Sequence, residues 1–278
     1  MINLEAASLT DIGKIRGINE DSIWSQHNYT SRNEPIGLFI VCDGMGGHMG
    51  GEIASYWAIE AIKRELADLF ALKDPRATVV LSEEAILAAR SGKLISPQLV
   101  GIDLEKRMQT AIQKANRVVH EYAQRKPDKA GDAGTTLTMA VVHGEHAIIA
   151  NIGDSRVYML RGHELRQITH DHSLVANLVD RGQILPDEVY EHPQRNVIYR
   201  FLGQKGQVKA DIFQENLQPG DYLLLCSDGL WEMVRSDRQI VKIIETSNEP
   251  SIACKALIAA ANEAGGEDNI AVVLVKIT

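Results

Sequence analysis

Three carboxylates lie at the ends of apolar segments, where a strand of a sheet would hold each of them firmly. They are Asp43 after LFIVC, Asp228 after YLLLCS, and Asp268 shortly before IAVVLV. If these ends meet in the folded chain, their negative charges repel one another unless a cation neutralises them. Hard divalent cations prefer oxygen ligands of this kind. A single Asp-Gly step is more often only a turn, but the three ends together favour a metal site.

A further acidic pair, Glu20 and Asp21, follows Arg16 in the segment GKIRGINEDS. An arginine near carboxylates can form a surface ion pair, which contributes little to stability. It can equally bind a phosphate group through two parallel hydrogen bonds. The local spacing leaves both interpretations open.

Composition excludes several classes of function. With 29 Lys and Arg against 37 Asp and Glu, the net charge of −8 argues against nucleic acid or an anionic membrane as the main partner. The 3 cysteines are too few for a disulfide framework and indicate a reducing, cytoplasmic compartment. We expect no signal peptide, because the first residues lack a basic segment followed by an apolar block. We also expect no membrane span, because no apolar stretch approaches about 20 residues.

The elements that would position the acidic residues begin with a buried strand over residues 38–42. A Gly-rich loop follows it and leads into an amphipathic helix predicted over 52–72, and a second amphipathic helix is predicted over 103–125. Proline and glycine interrupt the segment between the helices, 73–102. We interpret this segment as an insert, with a short helix at 82–90.

The second half of the chain is rich in β-branched runs. TTLTMAVVHG, EHAIIANIGD and SRVYMLRGHEL are separated by Gly-containing turns and predict an antiparallel meander. Short helical pieces are predicted in 173–200, followed by a strand over 222–226, a helix over 251–264 and a strand over 270–277. Without a repeat or a linker, the pattern favours one domain, 1–278, of the α+β class.

Short motifs run through the chain in a definite order. They are GKIRGINEDS (13–22), VCDGMGGHMGGEIAS (41–55), GTTLTMAVV (134–142), NIGDSRVYMLR (151–161), ITHDHSLV (168–175), HPQRNVIYRFLG (192–203), LLLCSDGLWEMV (223–234) and GGEDNIAVVLV (265–275). In these motifs the chain resembles the metal-dependent serine/threonine protein phosphatases of the type 2C (PP2C, or PPM) family, bacterial type. The resemblance extends from about Ser8 to Val275, so it covers nearly the whole chain.

The resemblance implies a four-layer αββα sandwich of two antiparallel β-sheets flanked by helices. It also implies hydrolysis of phosphoserine and phosphothreonine in proteins by a water activated at a binuclear Mn²⁺ or Mg²⁺ centre. The resemblance further implies that the protein opposes a bacterial Ser/Thr kinase, and we expect a monomer. Two alternatives stay open, which are a catalytically inactive phosphoprotein-binding module with the same fold and a phosphatase dedicated to anti-sigma-factor antagonists.

The family pattern assigns the first metal ligands position by position. By this resemblance Asp43 bridges both cations, the Gly44 carbonyl binds one of them, and Asp228 and Asp268 complete the ligands of the first. Together these residues account for the carboxylates that the apolar segments had already singled out.

The remaining assignments of the resemblance concern the second metal, a third metal and the phosphate. Glu20 and Asp21 match the acidic pair that reaches the second metal directly or through water, and Arg16 matches the phosphate-binding arginine. Asp132 matches the bacterial ligand of a weaker third metal, although a local Asp turn also explains it.

One departure from the family pattern concerns the general acid. Eukaryotic relatives place a histidine directly after Asp-Gly, and here that position is Met45. His48 lies three residues further on, where it either donates a proton or only supports the loop. Metal-bound water is the alternative acid.

Two further segments are assigned by the same comparison. Residues 173–200 correspond to the flap beside the active site, which we expect to contact the substrate protein. The insert at 73–102 is expected to select partners or substrates. His170 and His172 are expected to have a structural or flap-hinge role, and Trp231 to be a packing anchor.

Overall fold

Short apolar or alternating runs form the strands of the chain, and apolar residues three to four positions apart form its amphipathic helices. The computed structural model describes residues 2–30, 33–46, 50–70, 97–125 and 133–278. The strands are β1 (Leu4–Asp11), β2 (Asp21–Tyr29), β3 (Pro35–Met45), β4 (Gly134–Thr135), β5 (Leu137–His143), β6 (His146–Ile152), β7 (Arg156–Arg161), β8 (Glu164–Gln167), β9 (Asp211–Asn216), β10 (Tyr222–Cys226) and β11 (Ile270–Ile277). The α-helices are α1 (Gly50–Leu66), α2 (Pro97–Arg125), α3 (Leu174–Asp180), α4 (Asp228–Trp231), α5 (Asp237–Thr246) and α6 (Pro250–Glu263).

These strands form two sheets in which every pair is antiparallel. The first sheet has the order β2-β3-β5-β6-β9, and β4 pairs with β3 beside it. The second sheet has the order β1-β11-β10-β7-β8. The last strand of the chain therefore lies inside its sheet, between the first strand and β10.

The side chains of β3 show how the layers are held together. Leu38, Ile40 and Cys42 pack against the helices α1 and α2. Phe39 and Val41, on the opposite face, pack against the second sheet. This alternation follows from the two-residue period of a strand, and it gives β3 one face in each of two cores.

The second sheet repeats this arrangement on its outer side. Its outward residues, including Leu224, Val272 and Leu274, pack against apolar residues of α5 and α6 such as Ile244 and Leu257. The order of layers is therefore helices, first sheet, second sheet and helices. The predicted αββα sandwich is confirmed.

The predicted meander is wrong in one respect. β5 and β6 form a hairpin in the first sheet, but β7 and β8 form theirs in the second sheet. The chain crosses between the sheets at Gly153, whose φ of +102° is in the left-handed region that favours glycine. A β-carbon at Gly153 would also lie 2.6 Å from the Thr136 side chain.

Several predicted helix boundaries also differ from the structure. The first helix ends at Leu66 and is followed by a 3-10 turn, rather than continuing to residue 72. The second begins at Pro97 rather than 103, because proline is tolerated in the first turn of a helix. Residues 71–96, which include the predicted helix at 82–90, lie outside the described residues.

Candidate metal centre

Strand ends of both sheets meet at one end of the sandwich and surround a cavity of about 600 Å³. Asp43 lies near the end of β3, Asp228 follows β10, and Asp268 precedes β11. The cavity is lined by Arg16, Gly17, Ile18, Glu20, Asp43, Gly44, Met45, Gly46, Thr136, Asp154, Asn196, Ile198, Asp228, Asp268 and Asn269. The structure therefore brings together the three carboxylates that the apolar segments had singled out, with Arg16 and Glu20 beside them.

The end of β3 is pressed closely against its surroundings. A β-carbon at Gly44 would lie 2.2 Å from the Gly51 carbonyl oxygen and 2.5 Å from that of Glu20. On the other side, the Thr136 hydroxyl accepts a hydrogen bond from the Asp43 amide at 2.9 Å. Glycine is thus required next to Asp43, and the backbone that carries this aspartate is fixed on two sides.

Asp21 is buried directly beside Asp43, because the two residues are partners in the β2–β3 register. Its Oδ2 accepts a hydrogen bond from the Ser227 hydroxyl at 2.8 Å. Within the described residues, Asp21 Oδ1 and Asp228 Oδ1 are buried oxygens without a hydrogen-bond partner. Such oxygens are costly to bury, so both atoms are suited to binding a cation.

The raised pKa values of the buried aspartates also indicate a cation site. Burial raises the pKa of Asp43 well above its usual range, and the charge of Asp228 is the next cause. Burial likewise raises the pKa of Asp228, followed by the charge of Asp154. Burial also raises the pKa of Asp21 to about 7. The carboxylates therefore lack enough positive charge nearby, and a divalent cation would supply it.

Among the described residues that line the cavity, Arg16 is the one with a positively charged side chain, and this side chain is half exposed. Its Nη2 lies 2.5 Å from Asp268 Oδ2, with 48% of the Arg16 side chain accessible. The loop that carries Arg16 is held by Asn269, whose Nδ2 donates to the carbonyls of Ile12 and Ile18 at 2.9 and 3.0 Å. An exposed guanidinium on a fixed loop can present its remaining donors to an anion.

Glu20 lies where helix α1 begins. A β-carbon at Gly51 would be 2.4 Å from Glu20 Oε1, and the Glu20 amide donates to Asn269 Oδ1 at 2.8 Å. Burial raises the pKa of Glu20, while a hydrogen bond from the Gly51 backbone lowers it. The start of α1 thus offsets part of the cost of burying the Glu20 anion, but the pKa of Glu20 remains above its usual value.

These donors fit a divalent cation, although not as a complete set of side-chain ligands. Within the described part of the chain, no three His, Cys, Asp or Glu side chains converge as the donors of one ion. Hard cations also accept carbonyl and water oxygens, and Gly44 lines the cavity together with the carboxylates. The unpartnered buried oxygens and the carboxylates of the lining therefore fit Mn²⁺ or Mg²⁺ with part of its ligands from backbone and solvent.

Two predicted site residues, Asp132 and His48, lie outside the described residues.

The histidines of the HDH segment do not face the cavity. His170 Nε2 lies 2.9 Å from Asp180 in α3, and His172 is buried with Nδ1 3.0 Å from the Gly153 amide. Trp231 is also buried, and its Nε1 donates to the Asp154 carbonyl at 3.1 Å.

Asp154 is a cavity residue that the sequence reasoning missed. It is only 7% exposed, and burial raises its pKa to about 7, with Asp171 as the next cause. The signal was present, because Asp154 follows the apolar run HAIIANI just as Asp43 follows LFIVC. In the sequence it lies in the motif NIGDSRVYMLR, which contributes none of the predicted ligands.

The flap predicted at 173–200 forms one wall of the cavity through Asn196 and Ile198. Its two ends are joined, since the Leu174 amide donates to the Val197 carbonyl at 2.8 Å. Arg195 lies 3.5 Å from Glu232 and 3.6 Å from Glu267. These two acidic residues follow Asp228 and precede Asp268, so Arg195 connects the flap to the loops that carry both carboxylates.

Two packed antiparallel sheets between helices, with an oxygen-rich acidic cavity at one end, define the class of metal-dependent protein phosphatases. The family described as protein phosphatase 2C matches residues 18–260. The chain belongs to this family.

Individual relatives are similar over nearly their whole length. The serine/threonine phosphatase stp of Listeria monocytogenes serotype 4b (strain F2365) is 37% identical, over 98% of this chain and 96% of that protein. The serine/threonine phosphatase of S. agalactiae superposes with a TM-score of 0.80 at 32% identity, covering 99% of each chain. The catalytic domain of the phosphatase PstP, solved in complex with 2 manganese ions, gives a TM-score of 0.77 at 30% identity and covers 100% of each chain.

One finding bears on the membrane. No helix in the described ranges combines the length and the apolar character that crossing a bilayer requires.

Proposed function

We propose that this chain hydrolyses phosphoserine and phosphothreonine in proteins, with Mn²⁺ or Mg²⁺ bound in the acidic cavity. The observation that carries the proposal is the meeting of Asp43, Asp228 and Asp268 around one cavity that Arg16 also faces. The family and its named phosphatase relatives support the same activity. When bound, such cations would lower the pKa of a coordinated water and polarise the phosphoryl group.

The residues of the chain divide the work of holding the cations. We assign Asp43, the Gly44 carbonyl, Asp228 and Asp268 to the first cation, with Asp43 shared by both. The strand ends fix the backbones of these residues, and a metal site requires ligands that are held this accurately. Glu20 and Asp21 are assigned to the second cation, and Asp132 to a third.

Arg16 is assigned to the phosphate. Its guanidinium is half exposed at the rim and contacts Asp268 through a single nitrogen, so other donors remain for phosphate oxygens. An arginine presents paired donors in a plane that matches phosphate. Arg16 would thus orient the phosphate and offset charge on its oxygens. His48 stays a prediction for the proton donor.

The decisive experiment measures hydrolysis of p-nitrophenyl phosphate and of a phosphothreonine peptide with Mn²⁺, and again after EDTA. Activity with Mn²⁺ that chelation abolishes and added Mn²⁺ restores supports the proposal. Activity that survives chelation would exclude a metal-dependent mechanism. Phosphopeptide binding without hydrolysis, with any divalent cation, would favour the inactive binding module instead.

The proposal also covers the compartment, the oligomeric state and the opposing kinase of this enzyme. We propose a cytoplasmic monomer, one domain over 1–278, that opposes a Ser/Thr kinase. The buried free thiols of Cys42, Cys226 and Cys254 support a reducing compartment. The insert at 73–102 is proposed to select substrates. Its deletion should change the preference among phosphopeptides but leave hydrolysis of p-nitrophenyl phosphate intact, and loss of both activities would indicate a role in folding.

A further inference from the structure

Asn269 lies between two loops that carry charged groups of the cavity. It follows Asp268 and precedes β11, it lines the cavity, and it is only 5% exposed. Its side chain contacts the loop of residues 12–20, which joins β1 to β2 and carries Arg16. Because β1 and β2 belong to different sheets, this loop crosses from one sheet to the other at the cavity.

The hydrogen bonds of the Asn269 side chain hold both ends of this loop. Nδ2 donates to the carbonyls of Ile12 and Ile18 at 2.9 and 3.0 Å. Oδ1 accepts a hydrogen bond from the Glu20 amide at 2.8 Å. Both hydrogens of the amide group are thus used. Ile12 and Ile18 lie on either side of Arg16, so one buried side chain closes the loop that presents the guanidinium.

The middle of the loop has little packing of its own. Residues 14–18 are exposed, and Ile15 is 70% exposed. On the side before Arg16, the Lys14 amide donates to the Gly266 carbonyl at 2.8 Å. On the side after Arg16, Ile18 is tied to the same segment, 266–269, through Asn269. Without this side chain the second half of the loop would lose its connection to that segment, and the guanidinium would be held less firmly.

We propose that Asn269 is a positioning residue for phosphate binding, because it fixes the loop that presents Arg16 and the backbone of Glu20. This inference rests on the proposed function, in which Arg16 binds the phosphate. A displacement of about 1 Å in a positioned group can cost up to about 100-fold in rate. The loss of Asn269 should therefore weaken phosphate binding in an enzyme that is still folded.

Asn116 provides a matched control within the same chain. It is 2% exposed, and its Nδ2 also donates to two carbonyls, those of Gln204 and Gly206, while its Oδ1 accepts a hydrogen bond from the Gly203 amide. These four residues are not among the described residues that line the cavity. N116A and N269A thus remove the same set of hydrogen bonds, but only N269A affects the loop that carries Arg16.

The test measures hydrolysis of p-nitrophenyl phosphate at saturating Mn²⁺ and its inhibition by inorganic phosphate, which reports binding apart from chemistry. We expect N269A to raise KM and the inhibition constant about 5-fold or more, with a smaller change in kcat. N116A should leave both constants near their wild-type values. In the R16A background, N269A should have little further effect, because residues that act through one contact are not additive.

The remaining outcomes separate positioning from a structural role. Unchanged KM and inhibition constant in N269A, or full additivity with R16A, would overturn the inference. Equal losses of kcat and melting temperature in N269A and N116A, with KM unchanged, would show a purely structural residue. KM does not depend on the folded fraction, so partly unfolded variants stay informative, and N269D, which has the same shape but lacks both donors, repeats the comparison. Failure of the wild type to hydrolyse the substrate with Mn²⁺ would instead overturn the proposed function.

Discussion

Two groups of buried aspartates in this chain differ in what compensates their charge. Asp171 and Asp221 are 5% and 2% exposed, and each is bound by an arginine of β7, with Nη2 to Oδ2 distances of 2.7 Å. Asp21 and Asp154 are both 7% exposed, and neither has an arginine or lysine bound to it among the described residues. The two groups of aspartates are therefore similarly buried, but only the first group has its charge compensated by a bound arginine.

The difference shows which aspartates serve the fold and which serve the site. A buried carboxylate with a hydrogen-bonded arginine is compensated inside the protein, and removing either partner is strongly destabilising. A buried carboxylate without one destabilises the metal-free chain and becomes favourable only when a cation arrives. Replacing the aspartate by uncharged asparagine should thus lower the stability of the fold in the first group and weaken metal binding in the second.

The largest expected effect is the loss of activity in D228N. Because Asp228 is assigned as a metal ligand, we expect hydrolysis of p-nitrophenyl phosphate with Mn²⁺ to fall about 1,000-fold or more, as the loss of several kcal/mol of transition-state stabilisation implies. The melting temperature of metal-free D228N should not decrease. D237N, at an exposed aspartate of α5, is the control and should keep full activity. Near-normal activity in D228N would remove this residue from the site.

D171N should have the opposite profile. It leaves Arg156, with 14% of its side chain exposed, without its bidentate partner, which typically costs about 3–5 kcal/mol. Urea denaturation should therefore show a much lower free energy of unfolding, while Mn²⁺ affinity of the folded fraction is largely retained. A stability equal to the wild type would mean that the Arg156–Asp171 pair is not structural.

Substitution of Arg16 gives a smaller and more specific change. Loss of charge-assisted hydrogen bonds to phosphate costs about 1.5–3 kcal/mol, so R16A should raise KM roughly 10- to 100-fold. We expect a smaller fall in kcat, because the phosphate is bound in the ground and transition states alike. R166A is the matched control, since Arg166 is 51% exposed and paired with Glu215. A large fall in kcat with unchanged KM would contradict phosphate binding by Arg16.

The smallest expected effect is a pH dependence of the metal-free protein. Asp21 and Asp154 have pKa values raised to about 7, whereas an unfolded aspartate ionises at about pH 3.9. Between these values the folded state binds more protons, so the free energy of unfolding falls as pH rises. Thermal melts of the metal-free protein should give a lower melting temperature at pH 8 than at pH 5.5. The decline should be shallower in D154N, and an unchanged slope there would argue against this origin.

The sequence predicted the site better than it predicted the sheets. Asp43, Asp228 and Asp268 could be found because each adjoins a run of buried residues, such as LLLC in β10, that is apolar on both faces. Asp154 has the same signal after β6 but is not among the predicted ligands. That the ends of these strands meet was suggested by their charges and by the family resemblance, not by any local pattern.

The elements that sequence reasoning missed have weak or long-range signals. β9 (DIFQEN) is an edge strand with no buried residue, and β1 and β2 are only partly buried. The helix α5 was hidden in a charged segment, where only Ile240 and Ile244 are buried. The division of the hairpins between two sheets depends on the pairing of β7 with β10, which is distant in sequence and therefore absent from local periodicity.

The inner position of β11 has a consequence for biosynthesis. β1 leaves the ribosome before β11, yet β11 is its one partner among the described strands, and β10 also needs β11 as its neighbour. Asp268 is positioned by the same strand. A ribosome adds about 5–20 residues per second, so the nascent chain spends many seconds with its second sheet open. Phosphatase activity should consequently appear only after release of β11, and a nascent chain would not dephosphorylate proteins near the ribosome.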